Sequence, residues 1–205
     1  MNASRVPRAV IFDLGKVLLD FDYGILARRM APPSSISAGE ILSVVNQTPL
    51  LHRYETGLMT DHEFYDAVVS ATGFRGEKVQ FLNWFGNIFT EIEPMVALQT
   101  ALVRRGIPTY VFSNTNAQAI RHVRESFSFY RQFTGEVLSY EVRSMKPDTR
   151  IYEAVEAMSG FSGGDLLYLD DRPENIAAGI ARGWQAWIHA DPGETVPCVT
   201  ALMGL

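Results

Sequence analysis

The chain has 205 residues, 47% of them hydrophobic and 20% charged, which is enough apolar material for an ordinary core and excludes a disordered or fibrous polymer. A formal net charge of -5, with Arg28-Arg29 and Arg104-Arg105 as isolated basic pairs, argues against a dedicated nucleic-acid binder, which needs clustered Lys and Arg. The single cysteine, Cys198, excludes an intramolecular disulfide and fits a reducing compartment.

The first element is the apolar run Ala9-Val10-Ile11-Phe12. It is too short for a signal-peptide core or a membrane span, so a soluble, cytoplasmic protein with no membrane partner is expected. Residues 20–92 then show helical patterns at Ile41 to Val45, Phe64 to Ala71 and Val79 to Phe89, and no convincing buried strand. Pro94 is suited to open a helix carrying Met95, Leu98 and Leu102, which Gly106 closes. Next come a run at Thr109 to Phe112, a helix over Thr149 to Ser159 stopped by Gly160, and a run at Leu166 to Leu169. A helix over Pro173 to Arg182 stopped by Gly183, and a last run at Gln185 to Ile188, complete the order. Four short apolar runs without polar alternation read as strands buried on both faces. Their alternation with helices predicts a doubly wound parallel α/β core with a helical insertion after the first strand. Trp184 and Trp187, around the last run, are expected in the core.

In such sheets ligands bind at the carboxyl ends of the strands. There the sequence places Asp13-Leu14-Gly15-Lys16-Val17, Ser113-Asn114-Thr115-Asn116 and Asp170-Asp171-Arg172-Pro173-Glu174-Asn175, while Lys146-Pro147 precedes the helix that leads into the third run. Taken singly, an Asp, Asn or Ser after a strand is more often a turn former or helix cap, and a Lys before Pro more often lies at the surface. Together they gather carboxylates, a hydroxyl and an ammonium at one sheet edge. Carboxylates crowded in one cleft raise one another's pKa unless a cation joins them, and Mg²⁺ suits carboxylates, waters and phosphate. His52, His62, His122 and His189 have no metal-ligand spacing, and no dinucleotide or Gly-rich phosphate loop is present.

With these four segments in this order, the sequence resembles the haloacid dehalogenase superfamily of phosphohydrolases. Asp13-Leu-Gly-Lys-Val looks like its first motif, Ser113-Asn114 its second, Lys146-Pro147 its third, and Asp170-Asp171 with Asn175 its fourth. The resemblance implies that Asp13 attacks phosphorus, forms an aspartyl phosphate and is freed by water. It implies Mg²⁺ held by Asp13, the Gly15 carbonyl and Asp171; a phosphate cradle of Ser113, Asn114 and Lys146; and Asp170 with Asn175 supporting this shell from behind. Residues 1–19 and 93–205 would form the core domain and 20–92 a helical cap. Within the cap, Tyr54, in an expected loop at His52 to Gly57, and Trp84 are candidates for contacting a sugar phosphate. The expected partner is a small phosphorylated metabolite, met by a monomer or homodimer.

One departure stands out. Many phosphatases of this superfamily have a second aspartate, acting as general acid and base, where this chain has Gly15. The chain resembles the group that joins the α-glucose-1-phosphate phosphatases with the N-terminal phosphatases of epoxide hydrolases, and the bacterial α-glucose-1-phosphate phosphatases have Asp-Leu-Gly at this point. Two alternatives stay open at this point: a metal-independent 2-haloacid dehalogenase, and a weakly catalytic protein that binds a phosphorylated metabolite.

Overall fold

The computed structural model describes residues 6–205. A five-stranded parallel sheet runs in the order β5-β4-β1-β6-β7, with β1 Ala9–Phe12, β4 Thr109–Ser113, β5 Gly135–Leu138, β6 Leu166–Asp170 and β7 Gln185–Ile188. A separate antiparallel pair joins β2 Leu19–Phe21 to β3 Phe89–Glu91. β1 is central, pairing Ile11 with Tyr110 on one side and with Tyr168 on the other.

Because side chains alternate across a strand, β1 divides its residues between two cores. Val10 and Phe12 join Val111, Leu167 and Leu169 beneath the helices Glu93–Arg104, Ala117–Ser126 and Pro192–Met203. Ala9 and Ile11 join Phe112 and Tyr168 beneath Thr149–Ser159 and Pro173–Ala181. Covering helices on both faces explain why the central strands carry no polar alternation.

Between β2 and β3 lie five helices, Tyr23–Met30, Ala38–Val45, Pro49–Glu55, Asp61–Thr72 and Lys78–Gly86. They enclose a third core of their own, rich in aromatic rings. Tyr54 stacks on Phe64 with centroids 4.2 Å apart, and Phe85 meets Phe64 edge-on at 5.2 Å. Two of these helices begin in full capping boxes, Ser37 with Glu40 and Thr60 with Glu63, which fix their starts independently of packing.

Several expectations need correction. β5 escaped detection because its Gly-Glu-Val-Leu sequence is neither long nor uniformly apolar. The segment 20–92 does hold strand, the pair β2 and β3, which is mostly solvent-accessible rather than buried. Phe89 sits in β3, since the preceding helix stops at Gly86. His52 to Glu55 is helix: Thr48 accepts a hydrogen bond from the Leu51 N–H and Pro49 occupies the first turn, a start signal present in the sequence. Trp184 is buried, but Trp187 and Ile188 on the edge strand β7 are 39% and 44% exposed. Among the described residues, no helix is long and apolar enough to cross a membrane.

Candidate active site

Parallel strands point their carboxyl ends the same way, so Asp13 after β1, Ser113 ending β4, and Asp170 and Asp171 at the end of β6 share one edge of the sheet. Carboxylate oxygens of Asp13, Asp170 and Asp171 lie within 4.8 Å of one another. Asp13 and Asp171 face a cleft of about 780 Å³ that is also lined by Gly15, Ser113, Asn114, Lys146 and Asn175. Every core residue singled out from the sequence, apart from the fully buried Asp170, thus lines one cavity.

Lys146 organises the centre. Its ammonium, with the side chain 1% exposed, donates to Asp170 Oδ2 at 2.7 Å and to the Phe112 carbonyl at 2.8 Å, and lies 2.9 Å from Asp13 Oδ1. Burial alone would lower its pKa, but Asp13 and Asp170 outweigh burial and raise it, so the group stays charged. Lys146 is itself held by an amide clasp. Asn114 Nδ2 donates to the Lys146 carbonyl at 3.0 Å, and the Lys146 N–H donates to Asn114 Oδ1 at 2.8 Å.

Asp170 is saturated. Its Oδ1 accepts from the Arg172 N–H at 2.8 Å and Asn175 Nδ2 at 2.9 Å, while Oδ2 accepts from Lys146 and the Tyr168 hydroxyl. Burial pushes its pKa up, yet Lys146 and these hydrogen bonds prevail and hold it below the ordinary carboxylate value. Four donors leave Asp170 no lone pair directed at a ligand.

Asp13 differs. Oδ1 accepts from the Leu14 N–H at 2.7 Å and faces Lys146, while Oδ2 receives no donor from the described residues. Burial raises its pKa to about 7; Lys146 opposes this, and the charges of Asp170 and Asp171 add to it. Asp171, half-buried, is also raised, by burial and by Asp170, against Lys146. The loop after β1 closes on itself through Lys16 N–H to the Leu19 carbonyl (2.7 Å) and Leu19 N–H to the Leu14 carbonyl (2.8 Å), and the Gly15 carbonyl accepts no hydrogen bond. Three carboxylates against one ammonium leave the cluster short of positive charge by two.

Other candidates separate from this site. Tyr54 does not line the cleft: its ring is in the aromatic core of the inserted helices and its hydroxyl donates to Asp61 at 2.7 Å. Trp84 packs edge-on against Phe74 at 6.2 Å and is likewise absent from the cleft. Neither of these two expected substrate contacts lines the cleft. Asn116 caps the helix Ala117–Ser126, accepting from the Ala119 N–H. From the inserted helices it is instead Tyr23, Gly24, Leu42, Leu51, His52 and Glu55 that reach the cleft. Sequence reading passed over Glu55 because it took His52 to Gly57 as loop.

A parallel sheet with a carboxylate, ammonium and hydroxyl cluster at its strand ends defines a class, and the sequence falls within it. Residues 7–183 match the haloacid dehalogenase-like hydrolases, and the chain belongs to that family. Among curated proteins it is similar to the sesquiterpene phosphatase astK of Aspergillus oryzae, 24% identical over 178 residues and 86% of each chain. Among solved structures it is similar to a HAD-like family hydrolase of Porphyromonas gingivalis, with TM-score 0.80 and 21% identity over 97% of this chain and 98% of the other. It also resembles a HAD family enzyme of Bacteroides thetaiotaomicron in complex with magnesium and inorganic phosphate, with TM-score 0.74 and 21% identity over 92% and 96% of the two chains.

Proposed function

We propose that this hydrolase is a magnesium-dependent phosphatase that cleaves a small-molecule phosphomonoester, with Asp13 as nucleophile. The observation that carries this reading is the charge deficit around Asp13. A hard divalent cation fits the donors left open, namely the Asp13 and Asp171 carboxylates and the Gly15 carbonyl, all oxygens and all lining the cleft. When bound, such a cation supplies the positive charge that lets an anionic phosphoryl group approach a carboxylate.

The remaining roles belong to the chain itself. Lys146 and the Leu14 N–H fix Asp13 Oδ1, leaving Oδ2 to form the bond to phosphorus as the ester oxygen departs. Ser113 and the Asn114 backbone N–H, at the tip of β4, are placed to receive the phosphoryl oxygens, and Lys146 offsets their charge. Asp170 and Asn175 hold Lys146 and the β6 tip in place. Water then cleaves the aspartyl phosphate, and inorganic phosphate leaves. The inserted helices act as a cap over this edge, with residues 20–92 as its span and residues 1–19 and 93–205 as the core domain. The similar protein astK is a sesquiterpene phosphatase, so prenyl phosphates join sugar phosphates as candidate substrates.

The test is phosphate release from an aryl phosphate with Mg²⁺ and with chelator, using wild type and Asp13→Asn. Release that needs both Mg²⁺ and Asp13 supports the proposal; full turnover by the Asn variant refutes it. Chloride released from a 2-haloacid in the presence of chelator would instead establish dehalogenation.

A further inference from the structure

Gly15 leaves open which group protonates the departing oxygen. Phe21 already occupies the space beside it: a Cβ built at Gly15 would lie 2.9 Å from Phe21 Cε1. The other ionisable groups on the cleft are mostly committed. Asp170 is saturated, Lys146 is fully engaged, and Lys16 is bound to Asp20 and the Phe21 carbonyl and lies over the Phe21 ring. Asp22 caps the helix Tyr23–Met30 through the Gly24 N–H and pairs with Arg28.

Glu55 is different. It is the last residue of the helix Pro49–Glu55, lines the cleft that holds Asp13, and its carboxyl has no hydrogen-bond or ion-pair partner among the described residues. Its backbone is locked to the core domain at the edge of the site. Ser139 Oγ donates to the Glu55 carbonyl at 2.6 Å and accepts from the Thr115 N–H at 2.8 Å, two residues after Ser113. Two residues further on, Gly57 (φ 69°) passes so close to the Tyr140 carbonyl that a Cβ could not be accommodated. The backbone is thus fixed at two points, and from it the Glu55 side chain lines the cleft within reach of the Asp13 charge.

We propose that Glu55 is the general acid and base that this chain uses in place of a side chain at position 15. This rests on the phosphatase reading above. As Asp13 Oδ2 bonds to phosphorus, the bond from phosphorus to the ester oxygen breaks. The leaving oxygen takes the Glu55 proton, and the alcohol is released. In the second step the attacking water gives a proton to the Glu55 carboxylate as the bond from phosphorus to Asp13 breaks. This releases phosphate and restores both residues. Burial, reinforced by the negative charge of Asp13, raises Glu55 to about 8, so at neutral pH it carries the proton the first step needs. Tyr23, the neighbouring hydroxyl, is pushed well above its ordinary value by burial and by Glu55, which leaves it a poor acid.

Glu55→Gln is nearly isosteric and is compared with wild type on an aryl phosphate, whose leaving group needs no proton, and on an alkyl phosphate, whose leaving group does. The expected result is a burst of phenol, stoichiometric with enzyme, followed by slow turnover on the first substrate. On the second, turnover falls by about 100-fold or more, the usual range for lost acid–base catalysis. His52→Ala, one helical turn earlier and exposed on the same cleft, is expected to keep both activities. Retention by Glu55→Gln of alkyl-phosphate turnover within about twofold of wild type, against that range, overturns the assignment. So does a loss confined to His52→Ala. Failure of the wild type to release phosphate from either ester would sink the phosphatase reading itself, a separate result read before any variant.

Discussion

Replacing Lys146 with methionine keeps the length of the side chain and removes the one cation the strand-end carboxylates share. The ammonium lies 2.9 Å from Asp13 Oδ1 and 2.7 Å from Asp170 Oδ2. At an effective dielectric of about 20, each contact is worth roughly 6 kcal/mol of attraction. Desolvation takes back several kcal/mol per ion, and removing one partner of such a buried group costs about 3–5 kcal/mol net. The pH dependence follows from the shifts. Lys146 holds Asp170 below its ordinary value, so in the wild type Asp170 contributes stability that is present above roughly pH 4 and lost as pH falls through the lowered folded value. Without the ammonium, burial drives the same carboxyl upward, and keeping it ionised becomes costlier as pH rises. The gap between wild type and Lys146→Met therefore widens from acid to alkali. Urea denaturation in chelator is expected to give a difference of about 3–5 kcal/mol at a pH near 8, and about half that near pH 5, with m-values unchanged. An equal gap at both values, or a larger one in acid, would show that Lys146 does not neutralise these carboxylates.

Two further outcomes bear on the cation and on the seam beside Glu55. Mg²⁺ at about 100 times its dissociation constant is expected to stabilise the fold by about 2.7 kcal/mol in thermal melts, an increment that Asp171→Asn removes while its apo stability holds or rises, because a half-buried carboxyl with raised pKa is gone. A Mg²⁺ response undiminished in that variant would exclude Asp171 as a ligand. Gly57→Ala is expected to cost about 1–3 kcal/mol through left-handed strain and collision with the Tyr140 carbonyl. The control Gly106→Ala, also left-handed (φ 73°) but in open space, costs only the strain of about 1 kcal/mol. Equal losses in both would mean that no tight contact exists at Gly57.

Legibility in the sequence tracked how local each signal was. Strands β1 and β7 lie within the bounds read from their apolar runs, and β4 and β6 extend theirs by one polar residue each, Ser113 and Asp170. Those added residues belong to the site, where a strand must end in chemistry rather than in hydrophobicity. The helix Thr149–Ser159 with its Gly160 cap followed from local pattern alone. β5 did not, because an edge strand beside β4 needs only one good neighbour and tolerates Gly135 and Glu136. The same logic explains β7: its apolar sequence suggested burial, but a strand paired only with β6 leaves Trp187 and Ile188 half in water.

The site shows a similar split. Asp13, Ser113, Asp170 and Asp171 could be placed together because parallel topology brings strand ends to one edge whatever the rest of the chain does, and Lys146 joins them from the loop before the helix Thr149–Ser159. What each inserted helix contributes depends on which face packs inward, and that is settled by contacts distant in sequence. Tyr54 and Glu55 are adjacent on one helix; the ring turns into the aromatic core against Phe64, and the carboxyl turns to the cleft. Composition favours the aromatic as the ligand contact, while packing assigns it to stability and leaves the acid facing Asp13. The fixed machinery thus lies on strand tips, where sequence order reveals it. The adjustable part, with the group that replaces a side chain at Gly15, is delivered by a helix end that Ser139 ties to the loop after β4.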